Sequence, residues 1–185
     1  MTDDTLLHRE LAARQADRAV VRIYRDRLGD EGILGRVAQF SEDVLVLARL
    51  DGESRDEGLT ALRMDDITRI GSGTREAQAH TALATDLLYN PMEEASLTDL
   101  AATLSALARR YPILALHTEH YTPDETYIGV PGVPDDDHLV LQAWGSALTL
   151  DTHQVVLLHD LITRVDAGDA YLNWLVRAHA LQRQG

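Results

Sequence analysis

Apolar residues along this chain alternate between two spacings. Short runs with helical spacing bracket longer stretches of β-branched and alternating residues. Leu100, Leu104 and Leu107 recur at i, i+4 and i+7, which predicts an amphipathic helix over 99–110. Pro112 stops it, and Ser96 is the expected N-cap, with Asp99 favourable at the positive helix end. Leu6, Leu7, Leu11 and Ala12 predict a matching helix over 5–16. Two further helices are expected. Thr74–Tyr89 carries an apolar stripe of Ala79, Leu83 and Leu87, and Tyr171–Gln182 one of Leu172, Leu175, Val176 and His179. Between the helices lie ten strand-like runs, separated by Gly-, Pro- and Asp-rich turns such as RLGDEG (27–32) and YTPDET (121–126). The first five are Val20–Tyr24, Ile33–Phe40, Val44–Leu50, Leu59–Met64 and Ile67–Ile70. The second five are Ile113–His117, Tyr127–Val133, Leu139–Trp144, Gln154–Leu158 and Leu161–Val165.

The two sets of five read as one pattern used twice. At an offset of 94, Gly35 meets Gly129, Asp43 meets Asp137, and Leu45-Val46-Leu47 meets Leu139-Val140-Leu141. Leu6 meets Leu100 and Asp66 meets Asp160 at the same offset. One inserted residue then brings Thr68-Arg69-Ile70 over Thr163-Arg164-Val165. The expected organisation is therefore two repeats, 1–90 and 91–185, each a helix, five short strands and a second helix. The fold class is α+β, mainly β, with a pseudo-two-fold relation between the repeats.

This order, with a one-turn polar break before the last strand, resembles the Sm-like small β-barrel. The residues that carry the resemblance are GRVAQFSEDVLVL (35–47) and LRMDDITRI (62–70), with GVPGVPDDDHLVL (129–141) and VLLHDLITRV (156–165). It implies two five-stranded barrels, either separate or merged into one pseudo-symmetric body. Sm-like proteins usually bind RNA in rings, through an Arg-Gly or Lys-His signature at the junction of strands four and five. Here that junction reads Asp-Asp-Ile-Thr-Arg-Ile and His-Asp-Leu-Ile-Thr-Arg-Val. Acids take the place of the signature, so the RNA role does not carry over with the fold.

Composition sharpens that point. The 185 residues include 30 acids and 17 basic residues, all of them arginine, for a formal net charge of −13. Residues 1–94 hold 12 arginines against 19 acids, and residues 95–185 hold 5 against 11, so the acidity is spread along the chain. Such a field disfavours general affinity for nucleic acid or anionic membrane. The absence of lysine and cysteine removes Schiff-base, Walker-A, thiolate and disulfide chemistry. No secretory signal and no membrane-length apolar run is read, so a cytoplasmic location is expected.

Few residues invite chemistry. Asp135-Asp136-Asp137-His138 reads as a hairpin turn whose aspartates cap their own backbone, with a calcium site as the alternative. Six of the eight histidines lie in the second half. His117 and Glu119 share a strand face, His120 points away, and a two-histidine, one-carboxylate metal site with His153 or His159 is the alternative to ordinary structural roles. Arg69 and Arg164 each follow an acid. An ion pair to the preceding break is expected, with an anion contact as the other reading. Trp144 and Trp174 read as core. Gly71-Ser72-Gly73-Thr74 reads as a loop and N-cap rather than an anion site.

These readings point to a non-enzymatic protein-interaction or regulatory module with an acidic surface. It is expected to bind a protein partner, with a basic one as the sharper reading, or itself as a homo-oligomer. No catalytic, cofactor or metal residues are assigned. The alternatives are nucleic-acid binding through Arg22, Arg25 and Arg27, and a His/Asp metal-dependent hydrolase in the second half.

Overall fold

The computed structural model describes residues 5–29, 31–84, 97–135, 137–145 and 150–182. The fold is α+β and mainly β. In chain order the first half runs α1 (Leu6–Ala16), β1 (Val20–Tyr24), a 3₁₀ turn (Asp26–Leu28), β2 (Ile33–Phe40), β3 (Val44–Leu50), β4 (Asp56–Arg63), a 3₁₀ turn (Met64–Asp66), β5 (Arg69–Gly71) and α2 (Arg75–Leu83). The second half runs α3 (Leu100–Arg110), β6 (Leu114–His117), β7 (Thr126–Pro131), β8 (His138–Trp144), β9 (Leu150–Leu158), a 3₁₀ turn (His159–Leu161), β10 (Arg164–Ala167) and α4 (Ala170–Gln182). Side-chain caps open the helices: Thr5, Thr74, Asp99 and Asp169 each accept a backbone N–H three residues on. Asp99 is thus the cap of α3, while the expected cap Ser96 lies outside the described residues.

The last strand of each half begins later than the sequence suggests, because a full 3₁₀ turn consumes the break. Ile67 N–H closes on the Met64 carbonyl and Ile162 N–H on that of His159. The turns are tied in identical ways. Met64 N–H donates to the Asp43 carbonyl and His159 N–H to that of Asp137, each at 2.8 Å. Thr68 and Thr163 N–H reach back to the ends of β1 and β6, at the Tyr24 and His117 carbonyls, each at 2.9 Å.

All strand pairs are antiparallel, and the ten strands form one open sheet in the order β5-β1-β2-β3-β4-β10-β6-β7-β8-β9. Tandem Sm-like barrels, separate or merged into one body, were expected; the described strands instead form a sheet that does not close, continues through the junction and ends at β5 and β9. Within each half the fifth strand lies beside the first, so the strand order repeats. The halves do not exchange like strands, as a two-fold would require. β4 pairs with β10, so the halves follow one another head to tail.

Strand pairing also refines the repeat. Val21 faces Gly35 and Leu114 faces Gly129, an offset of 93 in the first strand of each half. Arg63 faces Val44 and Leu158 faces His138, an offset of 95 already in the fourth. The inserted residue therefore precedes the 3₁₀ turn, and Asp65, not Asp66, is the counterpart of Asp160. The repeated glycines have a steric cause. A Cβ on Gly35 would sit against the Ala48 carbonyl oxygen, and one on Gly129 against that of Gln142.

The two main cores follow from this order. Leu11 of α1 packs with Val21, Ile23, Leu45, Leu47 and Leu62. Its neighbour Leu7 is packed at the margin of this core, whereas Leu6 is 77 % exposed and is not the counterpart of buried Leu100. In the second core, Leu100, Leu104 and Leu107 of α3 pack on Leu139, Leu141 and Leu157 of their own half. The same core takes in Val44, Val46, Leu59 and Ala61 from the far face of β3 and β4. Helix α4 buries Leu172 and Leu175 on Ile113 and Ala115. Helix α2 is rotated from the expected stripe: Ala77 is buried, Ala79 and Leu83 are exposed, and Leu87 lies outside the described residues. His80 ties this helix to the β3–β4 loop through Ser54 Oγ, at 2.7 Å.

Candidate functional site

Several of the chemistry-bearing residues of the sequence are drawn into the junction between the halves. Asp166 of β10 is the hub. Its carboxylate is buried and accepts Arg164 Nε and Nη2 at 2.9 and 2.6 Å, His117 Nε2 at 3.1 Å and a short hydrogen bond from Thr60 Oγ1 of β4. Arg49 of β3 stands 3.5 Å away. Burial alone would push this carboxyl up, but the hydrogen bond from His117 and the charge and hydrogen bonds of Arg164 outweigh it. The group is held well below the ordinary carboxylate range.

A second, partly buried ion pair closes the same junction. Arg25, just after β1, is fully buried and reaches both oxygens of Glu119, just after β6, at 2.6 and 2.8 Å. Thr163 Oγ1 donates to the same carboxylate at 2.6 Å. Here too desolvation opposes the charge, and Arg25 and Thr163 win, so the Glu119 carboxyl is lowered. His120 Nε2 lies 2.7 Å from Asp66, and Arg63 donates to the carbonyls of Ile162 and His159.

The metal set raised as the alternative reading is therefore not assembled. His117 is engaged by Asp166, Glu119 by Arg25 and His120 by Asp66, while His153 is exposed and His159 is buried in its 3₁₀ turn. Among the described residues no three of His, Asp and Glu gather as metal ligands would. Glu119 also lies beyond the end of β6, so it does not share a strand face with His117. Asp135 has the expected turn role, its Oδ1 accepting the N–H groups of Asp137 and His138 at 2.9 and 2.6 Å; Asp136 lies outside the described residues.

The arginine expectations change partners. Arg69 pairs not with the break before it but with Asp26, at 2.8 Å, and lies over the Tyr24 ring. Hydrogen bonds from Arg69 and Thr68 lower the Asp26 carboxyl to about 2. Arg164 pairs with Asp166 on its own strand, and Asp160 meets Arg63 instead. Of the proposed nucleic-acid cluster, Arg25 is buried on Glu119 and Arg22 is paired with Glu76 at 2.7 Å, so the three arginines do not form one patch. Trp144 packs at the margin of the α4 core, but Trp174 is 46 % exposed and stacks on exposed Tyr171.

Sequence reasoning missed Asp166 and the Arg25–Glu119 pair. The available signal was an acid inside a short apolar strand, RVDA, which burial tolerates only when partners meet it.

The other notable surface is apolar. Val140 of β8 and Val156 of β9 face each other across the ladder, and with Leu158 they are 37, 62 and 45 % exposed. They lie beside the sheet edge, where among the described residues β9 is paired only with β8. Their counterparts in the first half, Val46 and Ala61, are buried under α3. Among the described residues no helix is long and apolar enough to cross a membrane. Comparison with known proteins found no matching family, no matching curated protein and no matching solved structure.

Proposed function

We propose that this chain is a non-enzymatic interaction module of two Sm-like units in tandem, and that its partner is a second copy of itself. The observation that carries this reading is the β4–β10 junction. There the fourth strand of one unit takes the fifth strand of the next, and the helix of that next unit covers Val44, Val46, Leu59 and Ala61. At the far end of the sheet the same apparatus is left half-built. β9 offers the edge that β4 uses, Val140 and Val156 offer the face, and β5 of another copy is the counterpart of β10. In the expected register Ile70 of the copy faces Val156, as Val165 faces Ala61. The α1 of the copy would then lie where α3 lies inside the chain. Unpaired strand edges are templates for such addition. The contact is heterologous, so it either closes into a ring or runs on as a filament.

The engagement of His117, Glu119, His120 and Arg25 in the junction supports a structural rather than catalytic use of these groups. Sedimentation velocity over a concentration series tests the proposal. Assembly that Val156→Glu abolishes is expected. A wild-type chain that stays monomeric at its highest attainable concentration overturns it.

A further inference from the structure

A cavity of about 350 Å³ opens beside the junction, and three arginines from three different strands line it: Arg22 of β1, Arg49 of β3 and Arg164 of β10. In a chain of net charge −13 this convergence stands apart. Each guanidinium is held in place by a carboxylate: Arg22 by Glu76, Arg49 by Glu57 and Arg164 by Asp166. None uses all its donors in doing so. Arg22 spends Nη1 and Nη2, leaving Nε; Arg164 spends Nε and Nη2, leaving Nη1.

The acids around the cavity are unequal. Asp166 is buried behind Arg164. Asp51 is turned to its own loop, where Oδ1 accepts the N–H groups of Glu53 and Arg55. Glu57, more than a third exposed, is the one carboxylate on the wall that sits on Arg49 and is open to replacement. Leu34 and Leu50, both buried, form an apolar side to the same space, and Gly52 leaves its rim open. The volume falls in the range of small-molecule sites and exceeds what a bare phosphate fills.

We propose that this cavity binds a small organic phosphate monoester, its phosphate on Arg22, Arg49 and Arg164 and its organic part against Leu34 and Leu50, with Glu57 displaced from Arg49 on binding. Fork-shaped guanidinium donors suit phosphate oxygens, and three of them offset the surrounding negative field. Glu57 then acts as an internal competitor that sets the affinity.

Isothermal titration calorimetry on the full chain tests this, with ribose 5-phosphate as probe and ribose, inorganic phosphate and sulfate as controls at matched ionic strength. Saturable one-to-one binding of ribose 5-phosphate is expected, with none for ribose. Arg22→Gln should weaken it about tenfold or more, the size of one lost charged contact. Glu57→Gln should tighten it several-fold. Neither Arg22 nor Glu57 pairs with Asp166 itself, and circular dichroism checks that both variants fold. Failure of ribose 5-phosphate to bind, or affinity unmoved by either substitution, overturns the proposal. Sulfate binding as tightly as ribose 5-phosphate overturns the assignment of an organic ligand.

Discussion

Arg25 and Glu119 come from opposite halves of the chain, yet they meet at matching places, each just past the first strand of its half. The guanidinium is fully buried and the carboxylate partly so, with 15 % of the Glu119 side chain exposed. Both oxygens of Glu119 are engaged by Arg25, and Thr163 adds a third donor. Removing one partner leaves an uncompensated buried charge. Arg25→Met should therefore destabilise the fold by about 3 kcal/mol, whereas the double variant with Glu119→Met should recover most of that loss. Chemical denaturation of the two single variants and the double variant measures the coupling; additive losses would contradict it.

Acid should unfold this protein through the same junction. Glu119 and Asp166 both hold their protons less readily folded than unfolded. The stability they contribute is present above the unfolded carboxylate pKa, near ~4, and is lost as pH falls below it. Denaturation midpoints should be level from neutral pH down to about 5 and then drop. In Glu119→Gln the drop should be shallower, because one of the linked protons is gone. An acid limb identical to that of wild type would show that Glu119 is not part of it.

Gly35 and Gly129 should resist substitution where Gly52 does not. A methyl at either position meets the carbonyl of the facing strand, so Gly35→Ala and Gly129→Ala should each cost about 1–3 kcal/mol. Gly52 has nothing within 4 Å of its built Cβ, and Gly52→Ala should be neutral or slightly stabilising. Thermal melts of the three variants make the comparison. Equal shifts for all three would refute the steric argument.

Self-association at the β9 edge should strengthen with salt. Each copy carries a net charge of −13, so approach of two copies is opposed by long-range repulsion that ions screen. The apolar contact of Val140 and Val156 is itself little weakened by moderate salt. Sedimentation across an ionic-strength series should show larger species at higher salt. A contact built on opposite charges would show the reverse.

The sequence carried the elements better than their assembly. Strands β1, β2 and β3 stand at their expected ends because alternation and flanking turn residues mark them locally. Gly35 and Gly129 announced the repeat because one steric need recurs at both. The pairing of β4 with β10 had no local signal, since it joins residues over a hundred positions apart. Trp174 and Leu83 read as core by their type and spacing, but which side of a helix is covered depends on what the sheet places beside it. Of the candidate site, the histidines and Arg164 were visible as residues. The partner of Arg164 stands two residues along its own strand, but that of His117 was hidden, because His117 and Asp166 meet only once β10 lies beside β6.

That placement of β10 also sets an order for biosynthesis. Thr60 of β4 waits for the strand that contains Val165, 105 residues later. At ordinary rates of translation the gap lasts on the order of ten seconds. Through that interval β4 presents an open edge, and Leu59 and Ala61 lack the covering helix α3 that comes later in the chain. The nascent first half is thus the stage at which this protein is most exposed to wrong pairing. Truncations that end before β10 should be found with chaperones or in aggregates.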